Sequence, residues 1–176
     1  MIDHIVFDVD GTLTNGGITV SNNGIESKQF QAKDGLLIRM LPKLGFTTIM
    51  LTGRKSELTT TRAKDLDISA VFQGVSDKAA VLKSYLSEHA LDGSRFAYIG
   101  DDLNDYAAMC MCAFTACPAD ATKEIRALCD YVSPMNAGQG AARDICEHIL
   151  HDQGRYADML GLFGIHKSTE ESREEK

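Results

Sequence analysis

The feature that most constrains this chain is its alternation. Short apolar runs with strand character take turns with longer stretches whose apolar residues recur at helical spacing. "HIVFDV", "FTTIML", "AVFQG", "RFAYIG", "AFTAC" and "DYVS" read as strands. Between and after them "KDGLLIRMLPKLG", "KSELTTTRAKDLD", "DKAAVLKSYLSEHAL", "NDYAAMCMC", "ATKEIRALC" and "GAARDICEHILHDQG" read as helices. Strands separated by helices imply βαβ units, so the expected fold class is α/β, a mostly parallel sheet with helices on both faces. In the first helical stretch Asp34 is the expected N-cap, Gly45 the stop, and Pro42 a kink or an end. One stretch departs from the alternation: "ITV" and "ESKQFQ" flank "SNNG", the Asn-Gly signal of an early β-hairpin.

The 176 residues suffice for one core. Residues 1–164 are read as one domain and 165–176 as a charged, mobile tail, with no internal repeat and no linker. A net charge of −7 disfavours a nucleic-acid partner but leaves room for a small anion beside local cations. No apolar stretch approaches the ~18 residues that span a bilayer, and the N-terminus enters a strand without a basic leader, so neither a membrane nor a targeting segment is expected. Five cysteines, an odd number without a disulfide-like framework, point to a reducing cytoplasm. "MCMC" at Met109 to Cys112 is weak as a metal motif and fits a buried helix better.

In parallel sheets ligands bind at the carboxyl ends of the strands. After the first strand come Asp8, Asp10, Gly11 and Thr12. After "FTTIML" come Thr52, Gly53 and Arg54. Lys78 opens the helix after "AVFQG", and "RFAYIG" is followed by Asp101, Asp102 and Asp105. Carboxylates from two strands, a hydroxyl and an ammonium can hold a hard cation and a phosphoryl group together. Each has a bland reading alone: a solvated acidic loop, a turn threonine, a surface lysine, a helix cap. In order, at successive strand ends, they point to one crevice.

"DVDGT", "LTGR", the lone Lys78 and "GDDLND" resemble the four motifs of the haloacid dehalogenase superfamily, over about residues 4 to 150. The resemblance implies a Rossmann-like phosphotransferase. Asp8 would be the nucleophile, forming an aspartyl phosphate, and Asp10 the general acid and then the base for water. Mg²⁺ would sit on the Asp8 carboxylate, the Asp10 backbone carbonyl and the Asp101 carboxylate. Thr52 and Lys78 would hold the transferring group, Asp105 would orient Lys78, and Asp102 would either support the metal or cap a helix. A response-regulator receiver is the sharpest rival, but there the phosphorylated aspartate ends a later strand than the acidic pair, whereas "FTTIML" here ends in Thr-Gly-Arg without a carboxylate. A non-catalytic module of the same fold is the third reading, which the intact motifs disfavour.

About 40 residues separate Gly11 from Thr52 and about 25 separate Thr52 from Lys78. Both intervals are spent on predicted elements, so no cap domain fits. The capless branch with an early hairpin resembles phosphatases of 2-keto-3-deoxy sugar acids, which implies a sugar-phosphate substrate and a homotetramer. "KDG" at Lys33 to Gly35, "LTGRKSEL", "FQG" at Phe72 to Gly74 and "AGQGAARD" at Ala137 to Asp144 carry this finer likeness. Ala137 and Asp144 depart from the usual Gly and Glu. The substrate carboxylate needs a cation. Arg54 beside the Thr52-Gly53 turn, Arg62 about two helical turns on, and Arg143, from a neighbour, are the candidates. Arg54 favours an eight-carbon acid over a nine-carbon sialic-acid type.

Overall fold

The computed structural model describes residues 1–166; the tail read as mobile falls almost wholly outside them. Six strands form one sheet: β1 (His4–Phe7), β4 (Thr47–Leu51), β5 (Ala70–Phe72), β6 (Phe96–Ile99), β7 (Phe114–Cys117) and β8 (Tyr131–Val132). Their order is β5-β4-β1-β6-β7-β8, and all five pairings are parallel. The chain builds outward from β1 to β5, crosses back, and continues from β6 to β8 on the other side. The order reverses beside β1, the place where such sheets leave a crevice. β2 (Thr19–Val20) and β3 (Glu26–Ser27) form the separate antiparallel hairpin, with Gly24 at φ 79° in its turn.

Alternation along the strands feeds two cores. Ile5 and Phe7 of β1 join Met50, Ala97 and Ile99 on one face; Val6 joins Ile49, Leu51, Phe96 and Tyr98 on the other. The first core is covered by α1 (Ala32–Ile38), α2 (Glu57–Asp65), α6 (Ala141–Asp152) and α7 (Tyr156–Gly161), through residues such as Leu37, Ala63, Ile145 and Met159. The second is covered by α3 (Lys78–Glu88), α4 (Tyr106–Met109) and α5 (Lys123–Leu128), through Leu82, Met109 and Ile125. Met111 and Cys112 of the "MCMC" run pack against this second core. No cap domain interrupts the described residues.

Two local readings change and one holds. Gln31, not Asp34, caps α1: its side chain accepts from Lys33 N–H. Asp34 is buried inside the helix and accepts the Arg143 N–H at 3.1 Å, so it caps α6 from across the core. Pro42 does end the first helix, opening a 3-10 turn at Leu41–Leu44 that Gly45 closes at φ 82°. Helix α7 has no counterpart in the sequence reading, because its six residues, YADMLG, are too few to show a helical period. No helix of the described residues is long and apolar enough to cross a membrane.

Candidate active site

Asp8 leaves β1 still in register, its N–H bonded to Ile99 O at 2.9 Å, so its carboxylate stands beside the end of β6. Gly11, at φ 91°, turns the chain sharply; a Cβ there would lie 2.1 Å from Asp101 Oδ2, so only glycine permits the approach. Thr12 Oγ1 donates to Asp101 Oδ1 at 2.9 Å and holds that carboxylate toward Asp8. Lys78 is the first residue of α3, whose N-cap Asp77 accepts from Ala80 N–H. The buried Nζ lies 2.8 Å from Asp8 Oδ1 and 2.6 Å from Asp105 Oδ1. Asp105 is wholly buried and also accepts from Tyr98 Oη at 2.8 Å and from the N–H groups of Asp101 and Asp102 at 3.1 and 3.3 Å.

Asp8, Asp10, Thr52, Gly53, Arg54 and Asp101, with Asp102 and Asn104, line a crevice of about 180 Å³. A larger cavity, about 390 Å³, lies against α7 between His151, Tyr156 and Ile165. It is mainly apolar and gathers no carboxylate or lysine, so the chemistry belongs to the smaller crevice. Thr52 is buried, and its hydroxyl accepts the Arg54 N–H at 3.4 Å, a local turn contact that leaves it on the crevice wall. Asp102 is exposed and accepts the Leu103 N–H at 2.7 Å, so it braces its own turn and caps no helix.

Burial pushes the Asp8 carboxyl up to about 6, the nearby Asp105 charge adds to this, and Lys78 opposes it. Burial pushes Asp101 up to about 8, with Asp8 as the next contributor. For Lys78, burial pulls downward but the Asp8 and Asp105 carboxylates outweigh it, so the ammonium is held above its ordinary range. Carboxylate oxygens of Asp8, Asp101 and Asp105 lie within 4.8 Å of one another. The four hydrogen bonds to Asp105 commit its oxygens to protein donors, whereas Asp8 is paired once, with Lys78, and Asp101 once, with Thr12, so these two carboxyls each keep an oxygen to offer. An all-oxygen donor set whose charges disfavour one another fits a hard divalent cation, which would relieve that repulsion. The Asp10 carboxylate pairs with Lys28 at 2.7 and 2.9 Å and is not one of the three clustered carboxylates, leaving its backbone carbonyl as the atom expected at the metal.

The three candidate arginines separate. Arg54 stays at the crevice, with Nη2 2.8 Å from Glu26 Oε1 of the hairpin. Arg62 does not share a face with it, because Arg54 precedes α2 in the turn and Ser56 is the cap. Its guanidinium instead lies 5.4 Å from the Phe30 ring centroid and donates to Gln31 O at 3.3 Å, beside Gly35. Arg143 pairs with Glu147 along its own helix at 2.8 Å. Asp144 accepts from Tyr131 Oη and Ser133 Oγ at 2.9 and 2.7 Å, so the shorter carboxylate in the late motif serves the packing of β8 on α6. Gly138 at φ 63° packs on the loop after Asp10; a Cβ there would meet Asn15 N at 2.6 Å.

Two residues of this constellation escape a reading of the sequence. Lys28 lies 2.7 Å from Asp10 Oδ1 and 2.9 Å from Oδ2 with its side chain wholly buried, and Tyr98 closes the Asp105 network. The spacing of Glu26 and Lys28 puts both on one side of an extended chain at the end of β3, but nothing local says which side meets the site. Tyr98 reads from sequence as one more core aromatic.

A family model for haloacid dehalogenase-like hydrolases matches residues 52–145, more than half of the chain. The chain belongs to the haloacid dehalogenase-like hydrolases. Among its relatives in that family, the 3-deoxy-D-manno-octulosonate 8-phosphate phosphatase KdsC of Escherichia coli (strain K12) is 34% identical over 157 residues, 89% of this chain and 84% of that protein. The crystal structure of 3-deoxy-D-manno-octulosonate 8-phosphate phosphatase from Moraxella catarrhalis, in complex with a magnesium ion, a phosphate ion and a KDO molecule, superposes with a TM-score of 0.88. It shares 35% identity, over 92% of this chain and 93% of that one. The cobalt-bound phosphatase from Haemophilus influenzae gives a TM-score of 0.83 at 31% identity, over 90% and 92%. These relatives are phosphoric monoester hydrolases, and the enzyme class expected from the motifs stands with them.

Proposed function

We propose that this chain is a Mg²⁺-dependent phosphatase of 3-deoxy-D-manno-octulosonate 8-phosphate. The observation that carries the reading is the junction of Asp8, Lys78 and Asp101 at the ends of β1 and β6, in a chain 34% identical to such a phosphatase over most of its length. Asp8 is the nucleophile: its carboxylate oxygen forms a bond to phosphorus as the ester bond to the sugar oxygen breaks. Asp10 gives a proton to that leaving oxygen and then takes one from the water that hydrolyses the aspartyl phosphate. Lys78, held by Asp105, offsets charge on the transferring group, and Thr52 donates to it. Asp8, Asp101 and the Asp10 carbonyl would hold the metal, which supplies charge neutralisation at the phosphoryl oxygens.

The crevice is small for an eight-carbon sugar acid, since pockets for such ligands run to about 300 Å³ and above. It suits the phosphoryl end, so the sugar would extend past Gly53 and Arg54, where Arg54 meets the substrate carboxylate by exchanging Glu26 for it. An open mouth supports a neighbouring subunit as its cover. Val20 and Ile25 on the hairpin are 58% and 64% exposed, an apolar surface that a homotetramer would bury. Light scattering at micromolar concentration checks this, and a clean 19 kDa monomer refutes it. The odd cysteine count supports the cytoplasm as the compartment. A panel of purified sugar phosphates tests the substrate: kcat/KM should be highest for the eight-carbon keto-acid phosphate. Equal rates with neutral hexose phosphates would overturn the role of Arg54, and a preference for the nine-carbon acid would overturn the chain length.

A further inference from the structure

The hairpin is joined to the site by two ion pairs made from alternate residues of one strand end. Glu26 meets Arg54 in the turn after β4, and Lys28 meets Asp10 in the loop after β1. The two contacts differ in kind. The Glu26–Arg54 pair is partly exposed, at 33% and 46% of the side chains. The Lys28 side chain is fully covered, and its ammonium contacts both oxygens of Asp10 at 2.7 and 2.9 Å. A surface contact between hairpin and domain would not need a lysine buried to this degree. Stripping an ammonium of water is costly, and the cost is met here by one carboxylate.

We infer that Lys28 is a positioning residue for the proton transfer at Asp10, and so that the hairpin is a working part of the catalytic site. The inference rests on the proposed role of Asp10. When Asp10 gives its proton to the sugar oxygen, a carboxylate develops on it. A cation already in place stabilises that charge without reorganising at the moment of reaction. The same contact with both oxygens restricts the carboxylate to one orientation at the crevice wall, where the leaving oxygen must meet it. Atoms balance without Lys28 changing its own charge: the P–O ester bond breaks, the sugar oxygen takes the Asp10 proton, and the ammonium pairs with the resulting anion.

Dependence on the leaving group separates this role from mere support of the hairpin. A sugar alkoxide needs protonation to depart, whereas p-nitrophenolate leaves without it. The value of kcat/KM reports the step that cleaves the ester. Lys28→Met should therefore lose about 10- to 100-fold in kcat/KM for the sugar phosphate, part of the 10²–10⁴-fold that general acid catalysis supplies, and less than about 3-fold for p-nitrophenyl phosphate. Lys28→Arg, which keeps the charge, should restore the sugar phosphate rate at least in part. In an Asp10→Asn background Lys28→Met should add no further loss, because residues acting through one group are not additive. Equal losses for the two esters, at an unchanged melting temperature, would overturn the inference, as would additive losses in the double variant or full activity in Lys28→Met. If Asp10→Asn itself falls equally on both esters, the assignment of Asp10 as the acid fails and takes the inference with it. If Asp10→Asn discriminates between esters and Lys28→Met does not, only the role of Lys28 fails.

Discussion

The strand-end network and the hairpin approach the same crevice under opposite physical conditions. Lys78, Asp8, Asp105 and Tyr98 form one connected set, with Lys78 and Asp105 almost wholly out of water and each oxygen of Asp105 matched to a donor. The hairpin has two short strands, pairs Thr19 with Ser27 and Val20 with Glu26, and exposes most of its surface. In the network the charges come from elements fixed by the sheet itself: the ends of β1 and β6 and the start of α3. At the hairpin, the bridge between Thr14 and Phe30 and the side-chain ion pairs of Glu26 with Arg54 and Lys28 with Asp10 meet the domain. The difference teaches where rigidity is needed. Phosphoryl transfer requires a nucleophile and a counter-cation held to within tenths of an ångström. Admitting a sugar requires a wall that can exchange one partner for another.

The largest effect should come from the centre of the network. Asp8→Asn keeps the size of the side chain and removes the proposed nucleophile, so turnover of any phosphate ester should fall by about 10³-fold or more. Far-ultraviolet circular dichroism should be unchanged. Substantial residual turnover would break the assignment of Asp8.

Next, Lys78→Met leaves Asp8 and Asp105 facing each other without their shared cation. Losing one partner of a buried pair costs about 3–5 kcal/mol, read as a lower denaturant midpoint at constant slope. A shift as small as that of an exposed pair would mean that the network is hydrated in solution.

The third effect is on pH dependence and sets the Asp8 and Asp101 carboxyls against the metal. Asp8 and Asp101 are raised from 3.8 to about 6 and about 8 in the folded protein. Between about pH 4 and pH 8 the folded chain therefore holds protons that the unfolded chain has released, so unfolding releases protons and a higher pH favours it. The melting temperature of metal-free protein should fall from pH 5 to pH 8. Mg²⁺ should raise it, and raise it more at pH 8, because protons compete with the cation for the same oxygens. Asp101→Asn should flatten the trend. A melting temperature that climbs with pH in metal-free protein would break the account.

The smallest effect should be at the hairpin's exposed pair. Arg54→Ala should change stability by less than about 1 kcal/mol, as for other exposed ion pairs. It should lower kcat/KM for the keto-acid phosphate by about 10-fold, roughly one charge-assisted hydrogen bond, and spare a small ester without a carboxylate. If both esters suffer alike, Arg54 serves the turn after β4 and not the substrate.

Much of this architecture could be read from the chain alone. Short apolar runs alternating with helical stretches implied a parallel sheet, and the rule that ligands gather at strand ends selected Asp8, Thr52, Lys78 and Asp101 from the sequence alone. Those signals are local, carried by neighbours in sequence and by the order of elements. Which distant side chains share the charges follows only from the packing of the elements. Gln31 displaced Asp34 as the cap of α1, because Asp34 was needed across the core at the start of α6. Arg62 left the site for the Phe30 ring, since α2 begins after Arg54 and turns Arg62 toward α1. Lys28 reached Asp10 only through the path of a hairpin whose direction no periodicity encodes. The physical reason is the same in each case. Periodicity fixes the direction of a side chain relative to its own element, while the partner of a buried charge is set by how elements separated by many residues come to pack together.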